Sequence, residues 1–228
     1  ADAAPISPNK TKQENDKKLE LVLYAGTFMN YAEGSSNAIN VGAGVSTDIS
    51  LTKNLTLSTG VGIAKNSLAF VSKLPITAYE TFNAKQAMTG TAGLSVPSIS
   101  SMDAELLNLD IPVNIRYDFN PASRKVYISG GLTSSSYISE SYTYNYNQLN
   151  FASNSVGAPE DEKIETGFSR FDFARTLNVA VGMTYDLGKN QNLTVEPFLR
   201  YPLGGLGSQK ILFGAAGVNL KLNMSGRK

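Results

Sequence analysis

The sequence predicts an all-β protein, an eight-stranded antiparallel up-and-down transmembrane β-barrel. Three observations predict it. Alternate residues in segment after segment divide into one large apolar set and one tiny or polar set. The second set holds few long charged side chains, so it makes a poor solvated surface. The connections between the segments alternate short and long, as a meander with turns at one end and loops at the other requires.

Composition removes most alternatives. The 228 residues include 20 glycines and 11 tyrosines but no tryptophan, which suits a β-rich chain. A formal net charge of +1 gives no long-range field for nucleic acid or an acidic substrate. The absence of cysteine excludes a disulfide scaffold, a thiol nucleophile, a thiolate metal site and a lipid anchor at Cys. The absence of histidine removes the usual general base and the commonest metal ligand. No window approaches the roughly 18 consecutive apolar residues of a membrane helix. Residues 1–18, beginning "ADAAPISPNK", are polar and aperiodic and read as a flexible tail, a suitable mature start after cleavage behind small residues.

The strands follow in order. A weaker alternation starts at Leu19. "NVGAGVSTDISL" then sets Val41, Ala43, Val45, Thr47, Ile49 and Leu51 against Asn40, Gly42, Gly44, Ser46, Asp48 and Ser50. After "TKN", Leu55, Leu57, Thr59, Val61 and Ile63 oppose Thr56, Ser58, Gly60, Gly62 and Ala64. "LLNLDIPVNIRYDF" carries Leu107 to Phe119 against Asn108, Asp110, Pro112, Asn114, Arg116 and Asp118. A weaker strand starts at Val126; "LNVAVGMTYDL" and "LTVEPFLRYPL" repeat the clear pattern, and the eighth strand starts at Leu212. The barrel is therefore expected over 19–222, with 223–228 as a C-terminal tail.

Which face looks inward follows from size. Gly, Ser, Ala, Thr and Asn fit the narrow interior of eight strands, where there is room only for side chains. The large apolar face then meets lipid, and the need to satisfy every backbone N–H and C=O in hydrocarbon requires closure. Short turns at Thr52–Asn54, Asn120–Lys125 and Gly188–Asn192 alternate with long connections at about Asn66–Met102 and Ser141–Gly167. The other long-loop-side connections are Asn30–Asn37 and Pro202–Lys210. "TDI", "YDF" and "YDL" each place an inward Asp just before a short turn, a hairpin unit used three times. Tyr117, Phe119, Tyr185, Tyr201, Phe171 and Phe173 lie near strand ends on the outward face, where aromatic girdles belong.

In "LNLDIPVNIRYDF", "NVAVGMTYDLGKN" and "LTVEPFLRYPLGG" with "FGAAGVNLKLNM", the chain resembles the small eight-stranded outer-membrane β-barrels of Gram-negative bacteria, particularly those common in Bacteroidetes. The likeness covers about Leu19 to Leu222. It departs at the end, "NMSGRK", where many such barrels finish on an aromatic residue. The resemblance implies a bacterial outer-membrane location with both termini and the short turns in the periplasm, surrounded by lipid and lipopolysaccharide. Enzymes among such barrels rely on a histidine, which this chain lacks, so a non-enzymatic protein without cofactor is expected.

Remaining chemistry is sparse. Asp103, Glu105, Asp110, Glu140, Asp161, Glu162, Glu165 and Asp172 lie on or near the outer loops and read as solvated charge or divalent-cation contacts to lipopolysaccharide. "GAG" and "GVG" (Gly42, Gly44, Gly60, Gly62) complete neither a dinucleotide nor a P-loop spacing. No basic stretch interleaved with aromatics suits nucleic acid. Asp110, Arg116, Glu196 and Arg200 all point into the lumen, with Arg116 and Glu196 at one height and Asp110 and Arg200 at a higher one. Opposite charges at matched height are expected to pair across the interior as a plug, because isolated buried charges are costly; independent solvation by lumen water is the alternative. Loss of Arg116 and Arg200 is expected to raise conductance. Strict alternation turns Arg175 to lipid, unless a bulge brings it inward.

Function then falls to the loops or a partner surface. "YISESYTYNYNQLNF" carries Tyr137, Tyr142, Tyr144, Tyr146 and Phe151, either as a partner-binding surface or as an extension of a barrel hairpin with aromatics packed between strands. The connection from Asn66 is long enough to fold over the barrel mouth or against a neighbour. The expected role is a structural or accessory subunit of a larger outer-membrane protein assembly; a small transport channel or a surface-ligand-binding barrel is the alternative.

Overall fold

The computed structural model describes residues 19–71, 95–120, 125–150, 155–156, 160–168, 170–188 and 191–224. Among these the structure is entirely β. The strands are β1 (Leu19–Tyr31), β2 (Ser35–Ser36), β3 (Ile39–Ser50), β4 (Leu55–Phe70), β5 (Ser95–Asp118), β6 (Val126–Asn150), β7 (Ser155–Val156), β8 (Glu160–Thr166), β9 (Phe171–Gly188), β10 (Gln191–Pro202) and β11 (Gly214–Met224). Eight of them form one closed antiparallel barrel in the order β1, β3, β4, β5, β6, β9, β10, β11. The last strand returns to the first, from Leu21 opposite Met224 to Tyr31 opposite Gly214, so the barrel has no open edge. Both ends of the barrel sequence lie on the short-turn side, and the last strand runs through Asn223 and Met224, beyond the expected boundary at 222.

The pattern is inside out. Val41, Val61, Ile63, Val113, Ile115, Val181 and Leu220 are exposed on the wall, while Ser46, Asp48, Thr56, Asn108, Asp110, Thr133, Asp172, Thr194 and Glu196 are buried. An apolar wall around a polar interior is the arrangement that a bilayer selects, because lipid accepts the first and only the lumen can satisfy the second. On β5 the outward residues are apolar from Tyr117 to Leu107, and the next two outward positions are the exposed Glu105 and Asp103. The apolar belt therefore ends there, after about the 9 to 11 residues a tilted strand needs to cross. Tyr117, Phe119, Phe171, Phe173, Tyr185 and Tyr201 are all exposed near its margins.

Strand continues into both ends of the two long expected connections. β4 and β5 stay paired up to Phe70 opposite Met102, and β5 and β6 up to Ser95 opposite Asn150. β8 pairs with β6 over Glu140–Tyr146, so the described residues 141–150 and 160–166 form a sheet above the belt. The physical reason is continuity: once the hairpins are in register in the belt, polar residues such as Ser141, Thr143 and Asn145 extend the same ladder into water, with Tyr142 and Tyr144 on the inner side. The expected tail 1–18, residues 225–228 of the tail expected at 223–228, Phe151, and most of the connection after Asn66 lie outside the described residues.

Candidate functional site: a filled lumen

Close backbone approach explains the lumenal glycines. The Tyr24 ring lies against Gly44 and Gly62, and a Cβ on either would strike it. Gly182 faces the Tyr127 ring in the same way. Small residues on three strands thus make room for two inward tyrosines.

Near the short-turn end lies the first charged layer. Arg116 reaches Asp48 Oδ2 at 3.2 Å and Asp118 Oδ1 at 2.9 Å, and its guanidinium sits 4.3 Å from the Tyr127 ring centre. The Tyr127 hydroxyl donates to Glu196 at 2.5 Å, and Lys221 Nζ lies 2.6 Å from the same carboxylate. Arg116 and Glu196 therefore do not pair directly, contrary to the pairing expected from their matched height. Arg116 is held by Asp118 on its own strand and Asp48 on β3, Glu196 by Lys221 on the neighbouring β11, and Tyr127 links the two groups. The alternation of β11 already turns Lys221 inward with Asn219; its weak apolar pattern hid the residue from sequence reading.

The next layer joins opposite walls. Arg200 Nη1 donates to Asp110 Oδ2 at 2.9 Å, Ser135 Oγ to Asp110 Oδ1 at 2.6 Å, and the Asn108 amide to the same oxygen. Asn66 donates to Asn108 at 2.5 Å. Beside it, Phe28 and Phe198 stand with ring centres 6.3 Å apart and pack with Ala64 and Ala215. Small cavities remain, one of about 30 Å³ beside Asp110 and Arg200 and one of about 50 Å³ beside Tyr24, Glu196 and Lys221. Such volumes hold roughly one to a few waters each.

The outer end is closed by apolar packing. Leu206, Ile211 and Phe213, from the connection between β10 and β11, turn inward onto Leu68, Phe70, Met102, Leu106, Tyr137, Tyr142 and Tyr144. Gly207, at φ 71°, permits the tight turn, and Leu206 and Ile211 exchange backbone hydrogen bonds. Two buried carboxylates hold this cap. Ser208 N and Oγ each donate to Glu140 Oε2 at 2.7 Å, Tyr142 donates to it at 2.6 Å, and Gly207 N donates to Asp172 Oδ2 at 3.0 Å. Burial, with the Glu140 carboxylate it donates to, pushes the Tyr142 hydroxyl above the ordinary phenol range.

Arg175 belongs to this rim. Between Thr133 opposite Thr176 and Ser135 opposite Asp172 the register shifts, and Ala174 there has a φ of 50°. The bulge lets Arg175 Nη1 donate to the Gly205 carbonyl at 3.0 Å, with Nε 3.7 Å from Asp172. The arginine thus supports the cap.

Three of the eight acidic residues read as loop charge, Asp110, Glu140 and Asp172, are buried polar anchors instead. Glu105 and Glu165 are exposed beside Lys65 and Lys163. Tyr137, Tyr142 and Tyr144 are buried beneath the cap, so they offer no surface to a partner; Tyr146 lies on β6 opposite Ile99. Among the described residues no three Asp, Glu, His or Cys side chains converge as a metal site needs.

Neither protein-family models nor curated proteins match the chain. Among solved structures it is similar to Neisserial surface protein A (NspA), with 12% identity and a TM-score of 0.47 over 91% of this chain and 97% of that one. Ail of Yersinia pestis gives 8% identity and 0.39 over 91% and 99%, and CarO of Acinetobacter baumannii 12% and 0.41 over 89% and 97%. At such identity and superposition, none of these proteins passes a ligand or an activity to this one.

Proposed function

We propose that this is a non-enzymatic outer-membrane barrel that works by its outside, as a structural or accessory subunit of an outer-membrane assembly. The observation that carries the reading is the filled interior. Ion pairs on Arg116, Glu196 and Arg200, the Phe28 and Phe198 rings, and the cap on Glu140 and Asp172 occupy the lumen in succession. A transport role would need a path through all of them. Enzymatic roles find little material, since the buried carboxylates are already committed to structural donors.

What remains for function is the surface: the apolar wall and the sheet of β5, β6 and β8 standing above it. The outer membrane is the bilayer in which a closed β-barrel with long loops at one end belongs, which puts the short turns and both termini in the periplasm. The quoted likeness to Bacteroidetes barrels supports the same placement.

The test is purification of the tagged chain from its native membrane in mild detergent, with stoichiometry read by mass spectrometry. A partner at fixed ratio, lost when 141–167 is trimmed, is the expected result. Recovery of a lone barrel with sustained unitary conductance would replace the accessory role by a channel.

A further inference from the structure

The wall is not uniformly convex. Across four neighbouring strands one outward row reads Leu220, Ala25, Ala43, Ile63, large then small then small then large. The row toward the short turns is large again at Leu23 and Val45. With Thr27 above, the two alanines floor an apolar groove of about 750 Å³ in the lipid-facing wall. Lys65 lines its outer side.

Lys65 is what gives the groove a chemistry. Its cross-strand neighbours on the wall are Val41 and Leu107, so an ammonium sits at the edge of the apolar belt, where a cation without compensation is unfavourable. Its carboxylate neighbour, Glu105, is 3.4 Å away, and both side chains are more than half exposed, at 54% and 61%. A pair so open to solvent contributes little and exchanges readily. A molecule with an acyl chain and a phosphate satisfies both features, the chain filling the groove and the phosphate meeting Lys65.

We propose that the groove floored by Ala25 and Ala43 is a binding site for one acyl chain of lipid A, whose phosphate is held by Lys65. This rests on the outer-membrane reading, because lipid A is the phosphorylated acyl lipid on the long-loop side of that membrane. Glu105 acts as the placeholder for the phosphate.

The experiment uses the whole chain reconstituted in vesicles of lipid A, phosphatidylglycerol and phosphatidylcholine, then extracted in mild detergent and weighed by native mass spectrometry. One lipid A per barrel is expected. Ala43→Phe, or independently Ala25→Phe, fills the groove from the lipid side and should lower retention about tenfold, since acyl binding scales with buried methylenes. Lys65→Gln should abolish the preference for lipid A over phosphatidylcholine. Heat-modifiable gel migration verifies that each variant is a folded barrel. Equal retention in both Phe variants, or retention of phosphatidylglycerol as strong as that of lipid A, would overturn the site. A chain that stays out of the vesicles would instead overturn the membrane reading, and the site with it.

Discussion

Arg200 and Asp110 meet at 2.9 Å across the lumen, from β10 and β5, with β6 and β9 standing between those strands in the wall. Asp110 is buried and Arg200 mostly so, and each loses water in reaching the other. Removing one partner leaves a buried charge, at a cost of about 3 to 5 kcal/mol. Asp110→Asn and Arg200→Met should each destabilise the barrel in that range in urea titrations in detergent. The double variant should lose less than the sum. Strict additivity would mean that lumen water solvates the two independently.

The layers also predict electrical silence. In planar bilayers the native chain should show no sustained unitary openings. Arg116→Ala with Arg200→Ala, expected from the sequence to raise conductance, should instead change little, because the Phe28 and Phe198 rings and the cap still fill the section. Shortening 204–212 in that double variant should produce openings. An open native pore would contradict the filled lumen outright.

Gly182 and Tyr127 form a size pair. Gly182→Ala drives a methyl into the Tyr127 ring and should cost about 1 to 3 kcal/mol by overpacking. Adding Tyr127→Leu should recover part of that loss in a double-mutant cycle. A cost unchanged by the second substitution would place the strain in the backbone.

The chain has no cysteine, so Met102→Cys reports on the cap alone. Met102 is fully buried beneath Leu206, Ile211 and Phe213. A thiol reagent should label it slowly at neutral pH and at least about tenfold faster with Glu140→Gln, which weakens the charge-assisted bonds from Ser208 and Tyr142. The Tyr142 hydroxyl is raised in the folded state, so its stabilisation is complete below about pH 10 and declines above it. Labelling should therefore accelerate in alkali, and Tyr142→Phe should remove that part of the pH dependence.

Asn30 is buried with neither amide atom hydrogen-bonded among the described residues. Replacing it with Leu removes a desolvation penalty of about 1 to 3 kcal/mol. Higher urea midpoints for Asn30→Leu are expected; a drop would show that the amide has a partner in solution.

How far could these features be read along the chain? The faces of the wall were legible because alternation is local: each residue carries its own evidence of which side it occupies. Asp110 and Arg200 could be assigned inward in the same way. The partners of Arg116 could not, since Asp48 and Asp118 compete with Glu196 and the outcome depends on how far each strand is staggered around the barrel. Lys221 and Tyr127, which settle that competition, lie on strands whose pattern is faint.

By itself the sequence determined the number of barrel strands, their inside-out faces and their meander order, because period-two chemistry and connection length act on neighbours in the chain. Tertiary structure alone decided that 203–213 folds inward as a cap, that Tyr137, Tyr142 and Tyr144 lie beneath it, and that the bulge at Ala174 turns Arg175 to its support. Those outcomes depend on contacts between strands far apart in sequence, where closure of the barrel sets distance and no local pattern records it.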